Sequence, residues 1–375
     1  MKILITNYHL HSGGGHMTYV LSLFQELSRN HEVYLACPGM SKLNKAVRSF
    51  RGECVADVEF PYKFKETGNI VRNLRNLINI LRAKNPDIIH VNGLPDLKMI
   101  ILAKLISGNG TPVVVTKHDS KKPKFLHKLL YRLFPQEVIV VCRYQQQILR
   151  ESGYRGNNLR VIPHGLDLDF FQVRPRDENL QKQFNISKGD LVFVSVAGTA
   201  PHKGWNFLVE AVSLLDNEYK DRIRIVIAGE VPDGRTIEDC NKKFNRPHRV
   251  IFSGYLRDVR NIISLGDVGF VLSNKIETIS YACREMMAMG KPVLVSDYAG
   301  LPENVDNGIN GWITRTGDIK NISATVKSIL DNPGILPEFS RAARAKAEKE
   351  FGLERFVAQV YRCYRTALSH PPLQE

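Results

Sequence analysis

Glu277-Thr-Ile-Ser-Tyr-Ala-Cys-Arg-Glu285-Met-Met-Ala-Met-Gly290-Lys-Pro292-Val-Leu-Val-Ser296-Asp297 reads as a loop, a helix and a buried strand in succession. Glu277 lies in the loop at the helix N-terminus. Glu285, eight positions on, falls about two turns inside the helix at 3.6 residues per turn. Two carboxylates so spaced, ahead of a buried strand, can flank one small polar ligand. The pair alone recurs by chance; the full pattern Glu-x7-Glu-x4-Gly-x-Pro-Val is far more specific.

Outward from this stretch, short Val/Ile/Leu-rich runs alternate with longer amphipathic ones, the pattern of a doubly wound parallel sheet. The first set of strands is expected at Lys2–Thr6, Glu32–Ala36, Ile88–Val91, Val113–Thr116, Val138–Val141 and Val161–Ile162. A second set is expected at Val192–Val196, Arg224–Ala228, Val250–Phe252, Val268–Leu272, Pro292–Val295 and Gly311–Thr314. Between strands, Ile70, Val71, Leu74, Leu77, Ile78 and Leu81 step at helical spacing. The 375 residues exceed what one core supports, so two similar α/β domains are expected: 1–168 and 169–350. Polar Gln172–Gly189 reads as the linker region. Residues 351–375 form a C-terminal helix whose Phe351, Phe356, Val357, Val360 and Tyr364 would pack back on the N-terminal domain.

Composition excludes several classes. No apolar run reaches the roughly 18–20 residues of a membrane span. The short apolar N-terminal stretch reads as a core strand rather than a secretory signal. Six scattered cysteines, with no Cys-x-x-Cys, argue for a reduced cytoplasmic protein without a structural metal. The net charge of +14 calls for an anionic partner. No nucleic-acid module is visible, which leaves an anionic substrate or a membrane surface.

Other candidate residues sit where open α/β sheets take ligands, at strand C-termini. Gly13-Gly14-Gly15 follows the first strand and lets backbone amides approach a phosphate or sugar ahead of a helix. It is not Gly-x-Gly-x-x-Gly, so a nicotinamide cofactor is a poor reading. His118 ends another strand in a basic stretch. Lys203, at a strand–loop–helix junction, is placed to neutralise a diphosphate as a point charge. Asp167-Leu-Asp169 is formally Asp-x-Asp, but no further carboxylates complete an octahedral metal site. From Lys121 to Phe134, an apolar stripe (Phe125, Leu126, Leu129, Leu130, Leu133) faces Lys121, Lys122, Lys124, Lys128 and Arg132. Such a helix packs on its own sheet or lies on an anionic membrane, and packing is the expected outcome. Lys63 and Lys65, beside Tyr62 and Phe64, add to the basic character of this half.

Taken together, Glu277-x7-Glu285-x4-Gly290-x-Pro292-Val293, Val161-Ile-Pro-His164-Gly165-Leu-Asp167, Gly198 to Lys203-Gly204, Gly229-Glu230, Gly254-Tyr255 and Gly300-Leu-Pro-Glu303 resemble the retaining GT-B glycosyltransferases of family four. The resemblance covers nearly the whole chain. It implies two Rossmann-like domains facing a cleft, and a metal-independent hexosyltransferase with no cofactor beyond its nucleotide-sugar donor. Residues carry over one by one. Gly13, Gly14 and Gly15 would face the donor diphosphate and acceptor, and His118 would touch the transferred sugar. Lys203 would hold phosphate, and the strand ends at Gly229 and Gly254 would line the base. Thr278, Ile279 and Ser280 stand where the family's backbone amides meet phosphate or sugar; Ser280 can instead N-cap the next helix. Glu277 would bind the donor sugar and steady the developing cation, and Glu285 would accept hydrogen bonds from the ribose. The chain departs from the family at Thr199, where an arginine is common. Either Lys203 acts with backbone amides alone, or Arg257 or Lys275 substitutes.

Retention by double displacement needs a carboxylate nucleophile paired with an acid/base. Front-face departure and attack, stabilised by preorganised positive dipoles, is the expected route instead. A UDP-sugar donor and an anionic cell-envelope glycan or lipid-linked acceptor, in lipopolysaccharide or surface polysaccharide synthesis, fit the charge. The protein would then be cytoplasmic, with peripheral contact on the inner membrane. The competing reading is a catalytically silent subunit that binds a sugar nucleotide or glycan.

Overall fold

The computed structural model describes residues 1–10, 14–61, 67–244 and 247–369; Gly13 and the Tyr62–Lys65 group lie outside the described residues. The chain divides into two compact units. The first comprises Met1–Gly165 with the C-terminal segment from Leu353, and the second Leu166–Gly352.

In the first unit the strands are β1 (Lys2–Thr6), β2 (Glu32–Cys37), β3 (Val55–Asp57), β4 (Ile88–Val91), β5 (Val113–Lys117), β6 (Glu137–Val140) and β7 (Leu159–Val161). Their order is β3-β2-β1-β4-β5-β6-β7. In the second unit β8 (Leu191–Ser195), β9 (Ile223–Ile227), β10 (Val250–Phe252), β11 (Val268–Val271), β12 (Val293–Ser296) and β13 (Gly311–Thr314) run β10-β9-β8-β11-β12-β13. All pairings are parallel. Both sheets are therefore doubly wound, reversing between β1 and β4 and between β8 and β11, and they share one order over six strands, to which β7 adds a seventh in the first. Helices connect parallel strands and cover both sheet faces, so strands read as unbroken apolar runs. Alternate side chains feed opposite cores. On β1, Leu4 enters one core while Ile3 and Ile5 enter the other; on β8, Val192 and Val194 oppose Leu191 and Phe193.

Three expectations are corrected. The strand β3 was not foreseen, because Val-Ala-Asp at a sheet edge is too short and too polar to stand out. The segment 172–189 is no linker. It holds the helix Glu178–Gln183, N-capped by Asp177, whose oxygen accepts from Asn179 N and Leu180 N. That helix is docked by the Arg176–Asp267 ion pair and by Asp177 N–H donating to Ser264 Oγ (3.1 Å). The C-terminal helix, Leu353–Ser369, packs on the first unit as expected, after a separate helix Leu336–Glu350, but Phe351 does not share that packing. Phe351, between them, belongs to the second unit's core, whereas Phe356, Val360 and Tyr364 belong to the first unit's. Gly165 permits that last docking: a Cβ there would lie 2.6 Å from Phe356 Cβ and 2.9 Å from Leu353 Cα. Tyr364 also reaches a buried polar chain, with its hydroxyl 2.6 Å from His90 Nδ1 and His90 Nε2 2.8 Å from Thr116 Oγ1.

Candidate active site

Ligands of open α/β sheets sit outside the strand C-termini where the strand order reverses. In the second unit that point lies between β8 and β11, and the loops leaving these strands meet there. Asn274 N–H donates to the His202 carbonyl (3.0 Å), joining them. Lys203 ends a short 3₁₀ turn, Pro201–Lys203, and Gly204 follows at φ 74°. A side chain at Gly204 would place its Cβ 1.9 Å from the Leu272 carbonyl oxygen, so only glycine lets this loop close on the β11 end.

That closure brings Lys203 to Glu277, and Nζ donates to Oε2 at 3.1 Å. Ser273 Oγ donates to the same oxygen (3.2 Å), and Thr278 N–H donates to Oε1 (3.1 Å). Glu277 is 8% exposed and Lys203 23%. The carboxylate is thus fixed on several sides, while the ammonium keeps an open face and, with three donors, capacity for an anion.

The helix Tyr281–Ala288 starts at Ser280, whose Oγ accepts from Cys283 N (3.3 Å), as a Ser at this place permits. Ser280 adopts φ 57°, an uncommon backbone for a side-chain-bearing residue. The turn is pinned from behind. Asn304 Nδ2 donates to the Ile279 carbonyl (2.6 Å), and its Oδ1 accepts from Arg284 Nε (2.9 Å). Arg284 is buried over the Phe351 ring, 4.3 Å from its centroid, and burial lowers its pKa to about 10. Neither Arg284 nor Asn304 was a sequence candidate; a lone Asn carries no pattern. Glu285 is half-buried, accepts no side-chain hydrogen bond among the described residues, and burial pushes its carboxyl up to about 7.

The remaining second-unit candidates are spread along the same edge. Thr199 Oγ1 donates to the Glu230 carbonyl (2.6 Å). Gly229, at φ 147°, passes so close to Gly198 that an added Cβ would meet the Thr199 nitrogen at 2.8 Å. Thr278 is half-buried, and the Ile279 side chain is buried, so any ligand contact of Ile279 would be through its backbone. Arg257 and Lys275 are exposed and in no ion pair among the described residues.

In the first unit the corresponding reversal lies between β1 and β4. Gly14 (φ 111°) precedes the helix Gly15–Leu27. His118 follows β5 and stacks on His16 with ring centroids 4.0 Å apart. Its tautomer is set by Asn92. Asn92 Nδ2 donates to the Thr6 carbonyl (3.0 Å), so Oδ1 is the atom facing His118 Nε2 at 3.0 Å. Nε2 must then carry the proton. Burial, with the neighbouring His164, His90, His9 and Lys117, holds His118 well below its ordinary pKa. The ring is therefore neutral, and buried Nδ1, with no partner among the described residues, presents a lone pair. His16 Nε2 is likewise buried without a partner there. Asn92 and His16 were missed in the sequence; only their place at strand ends marks them.

Two family models match the chain: glycosyl transferases group 1 over residues 176–350, and glycosyltransferase family 4 over residues 13–170. N-acetyl-alpha-D-glucosaminyl L-malate synthase of Bacillus anthracis is 22% identical over 98% of this chain and 97% of its own length. The N,N'-diacetylbacillosaminyl-diphospho-undecaprenol alpha-1,3-N-acetylgalactosaminyltransferase of Campylobacter jejuni is 24% identical over 94% of this chain and 95% of its own. Among solved structures, Anabaena Alr3699/HepE in complex with UDP superposes with a TM-score of 0.83 at 18% identity, covering 98% of this chain and all of that one.

Proposed function

Since the chain belongs to the GT-B glycosyltransferases of family four, with a group 1 C-terminal half, we propose that it transfers a hexose-type sugar from a UDP-linked donor, with retention and without a metal, to a cell-envelope glycan or lipid-linked acceptor. The Lys203–Glu277 pair at the β8/β11 reversal carries this reading. The UDP and UDP-glucose complexes of the structural neighbour support the donor class, and the undecaprenol-linked substrate in the name of the Campylobacter relative supports the acceptor class.

In the proposed reaction the bond from the anomeric carbon to the diphosphate oxygen breaks. The acceptor oxygen bonds to the same face, and its proton passes to the departing diphosphate. Lys203, still holding Glu277, offers its free donors to the diphosphate. The N-terminus of Tyr281–Ala288 adds positive potential. Glu277 holds the donor sugar, and Glu285 accepts from the ribose hydroxyls. Arg257 is the candidate second cation in place of the usual arginine. On the first unit, His118 Nδ1 accepts from a sugar hydroxyl, and the Gly14–Gly15 amides offer backbone donors.

Donor hydrolysis and calorimetric titration of Glu277→Ala and Glu285→Ala test the assignment. Glu285→Ala should weaken nucleotide affinity, and Glu277→Ala should mainly lower turnover; equal, unchanged binding and rates in both would overturn it. The silent-subunit reading draws on Thr199, whose hydroxyl is spent on Glu230. Slow donor hydrolysis without acceptor excludes it, and binding without any hydrolysis favours it.

A further inference from the structure

We propose that the outer face of the helix Phe125–Leu133, with the lysine-rich segment before it, is a docking surface for an anionic lipid bilayer. The helix has two apolar faces and the fold uses one. Tyr131 is buried, and Leu130 and Phe134 pack on the first unit's core. Phe125 (78% exposed), Leu126 (57%), Leu129 (38%) and Leu133 (54%) lie on the other side. Their spacing of i, i+1, i+4 and i+8 makes one continuous stripe. The expectation that this stripe packs on its own sheet is met by Leu130 alone.

The charge around the stripe selects the occupant. Lys121, Lys122, Lys124 and Arg132 are exposed and in no ion pair among the described residues. No acidic residue stands between Asp119 and Glu137. The Lys128 ammonium donates to the Ser152 carbonyl and lies 6.0 Å from the Phe125 ring. A nucleic acid would find cations here but no use for four large apolar side chains at the centre of the patch. An interfacial helix uses both: the apolar face enters the headgroup boundary while lysines reach anionic headgroups. This inference rests on the proposed lipid-linked acceptor only for its purpose, which is to hold the first unit at the surface where that acceptor resides.

The test is cosedimentation of the full chain with phosphatidylcholine vesicles, with and without about 30% phosphatidylglycerol, with no nucleotide or acceptor present. Binding should be at least roughly tenfold stronger to the anionic vesicles and fall steeply in high salt. Lys121→Glu/Lys124→Glu and Phe125→Ser/Leu126→Ser should each reduce it by about tenfold or more while leaving the melting profile and donor hydrolysis unchanged. Equal binding to both vesicle types, or variants that bind like the unaltered chain, overturns the proposal. So does self-association abolished by the serine variant, which would make the occupant a second copy. A chain that binds vesicles yet hydrolyses no donor overturns the transferase reading and leaves this surface standing; the reverse result does the opposite.

Discussion

Replacing Glu285 by glutamine should stabilise the second unit at pH 8 and leave its stability unchanged at pH 4. Burial raises the Glu285 carboxyl from 4.5 to about 7, so the folded state binds its proton more tightly than the unfolded chain does. Stability therefore falls as pH rises from 4.5 to about 7, and above that the whole penalty is present. The gap between the two values sets a ceiling of about 3 kcal/mol; because the side chain is only half-buried, about 1–3 kcal/mol is the expected range. Glutamine keeps the shape and removes the charge, so the variant should melt roughly 2–10 °C higher at pH 8. Urea or thermal denaturation of both proteins at pH 4, 6 and 8 measures this. Asp96 in the first unit is also raised to about 7 by burial, so the difference between the two proteins, not either profile alone, isolates Glu285. If Glu285 accepts from the nucleotide ribose as proposed, the same variant should also bind nucleotide more weakly. A variant no more stable than the original at pH 8, or an equal difference at every pH, would refute the reasoning.

Lys203→Met should destabilise the second unit by about 1–2 kcal/mol, below the figure for a fully buried pair because Lys203 is partly open. A double-mutant cycle with Glu277→Gln should then show coupling; strict additivity contradicts the pairing. His90, held at about 3 by burial, binds its proton only in the unfolded chain, costing the first unit about 2 kcal/mol by pH 5, whereas Asp96 shifts stability in the opposite sense over the same range. The difference in urea stability between the unaltered chain and His90→Gln should therefore change by about 2 kcal/mol from pH 7.5 to pH 5, and a difference constant with pH argues against a neutral buried His90. Asn92→Asp puts a negative charge beside His118 Nε2 and should raise that imidazole's pKa, moving the acid limb of the pH–rate profile upward while Asn92→Ala moves it less. An unmoved acid limb in both variants removes Asn92 as the residue that sets His118.

Strands buried on both faces were legible because nothing but unbroken apolar runs survives there. Lys2–Thr6 and Ile88–Val91 fall where the runs stand, and so do the partly buried edge strands Val250–Phe252 and Gly311–Thr314, whose Val, Ile, Phe and Trp keep the apolar signal. The edge strand Val55–Asp57 and the helix Glu178–Gln183 were not, since a solvated edge and a capped polar helix lack that signature. At the site, Glu277, Glu285, Lys203 and the capping Ser280 stood out through local patterns. That Lys203 meets Glu277 across 74 positions follows only from the strand order. The roles of Asn92 and Asn304 depend on carbonyls distant in sequence, Thr6 and Ile279, which no local spacing reports. The apolar stripe of Phe125–Leu133 was visible, but which of its faces the core would take was decided by Tyr131 and Phe134.

Binding of a sugar nucleotide to the second unit is tested most directly by thermal denaturation with UDP, GDP, ADP, TDP and their common sugar conjugates, in chelator. A ligand at about a hundred times its dissociation constant adds roughly 2.7 kcal/mol to the folded state. The predicted result is a rise in melting temperature with UDP or a UDP-sugar that persists in chelator and shrinks in Glu285→Ala. No rise with any nucleotide, or a rise that Glu285→Ala leaves intact, would contradict it.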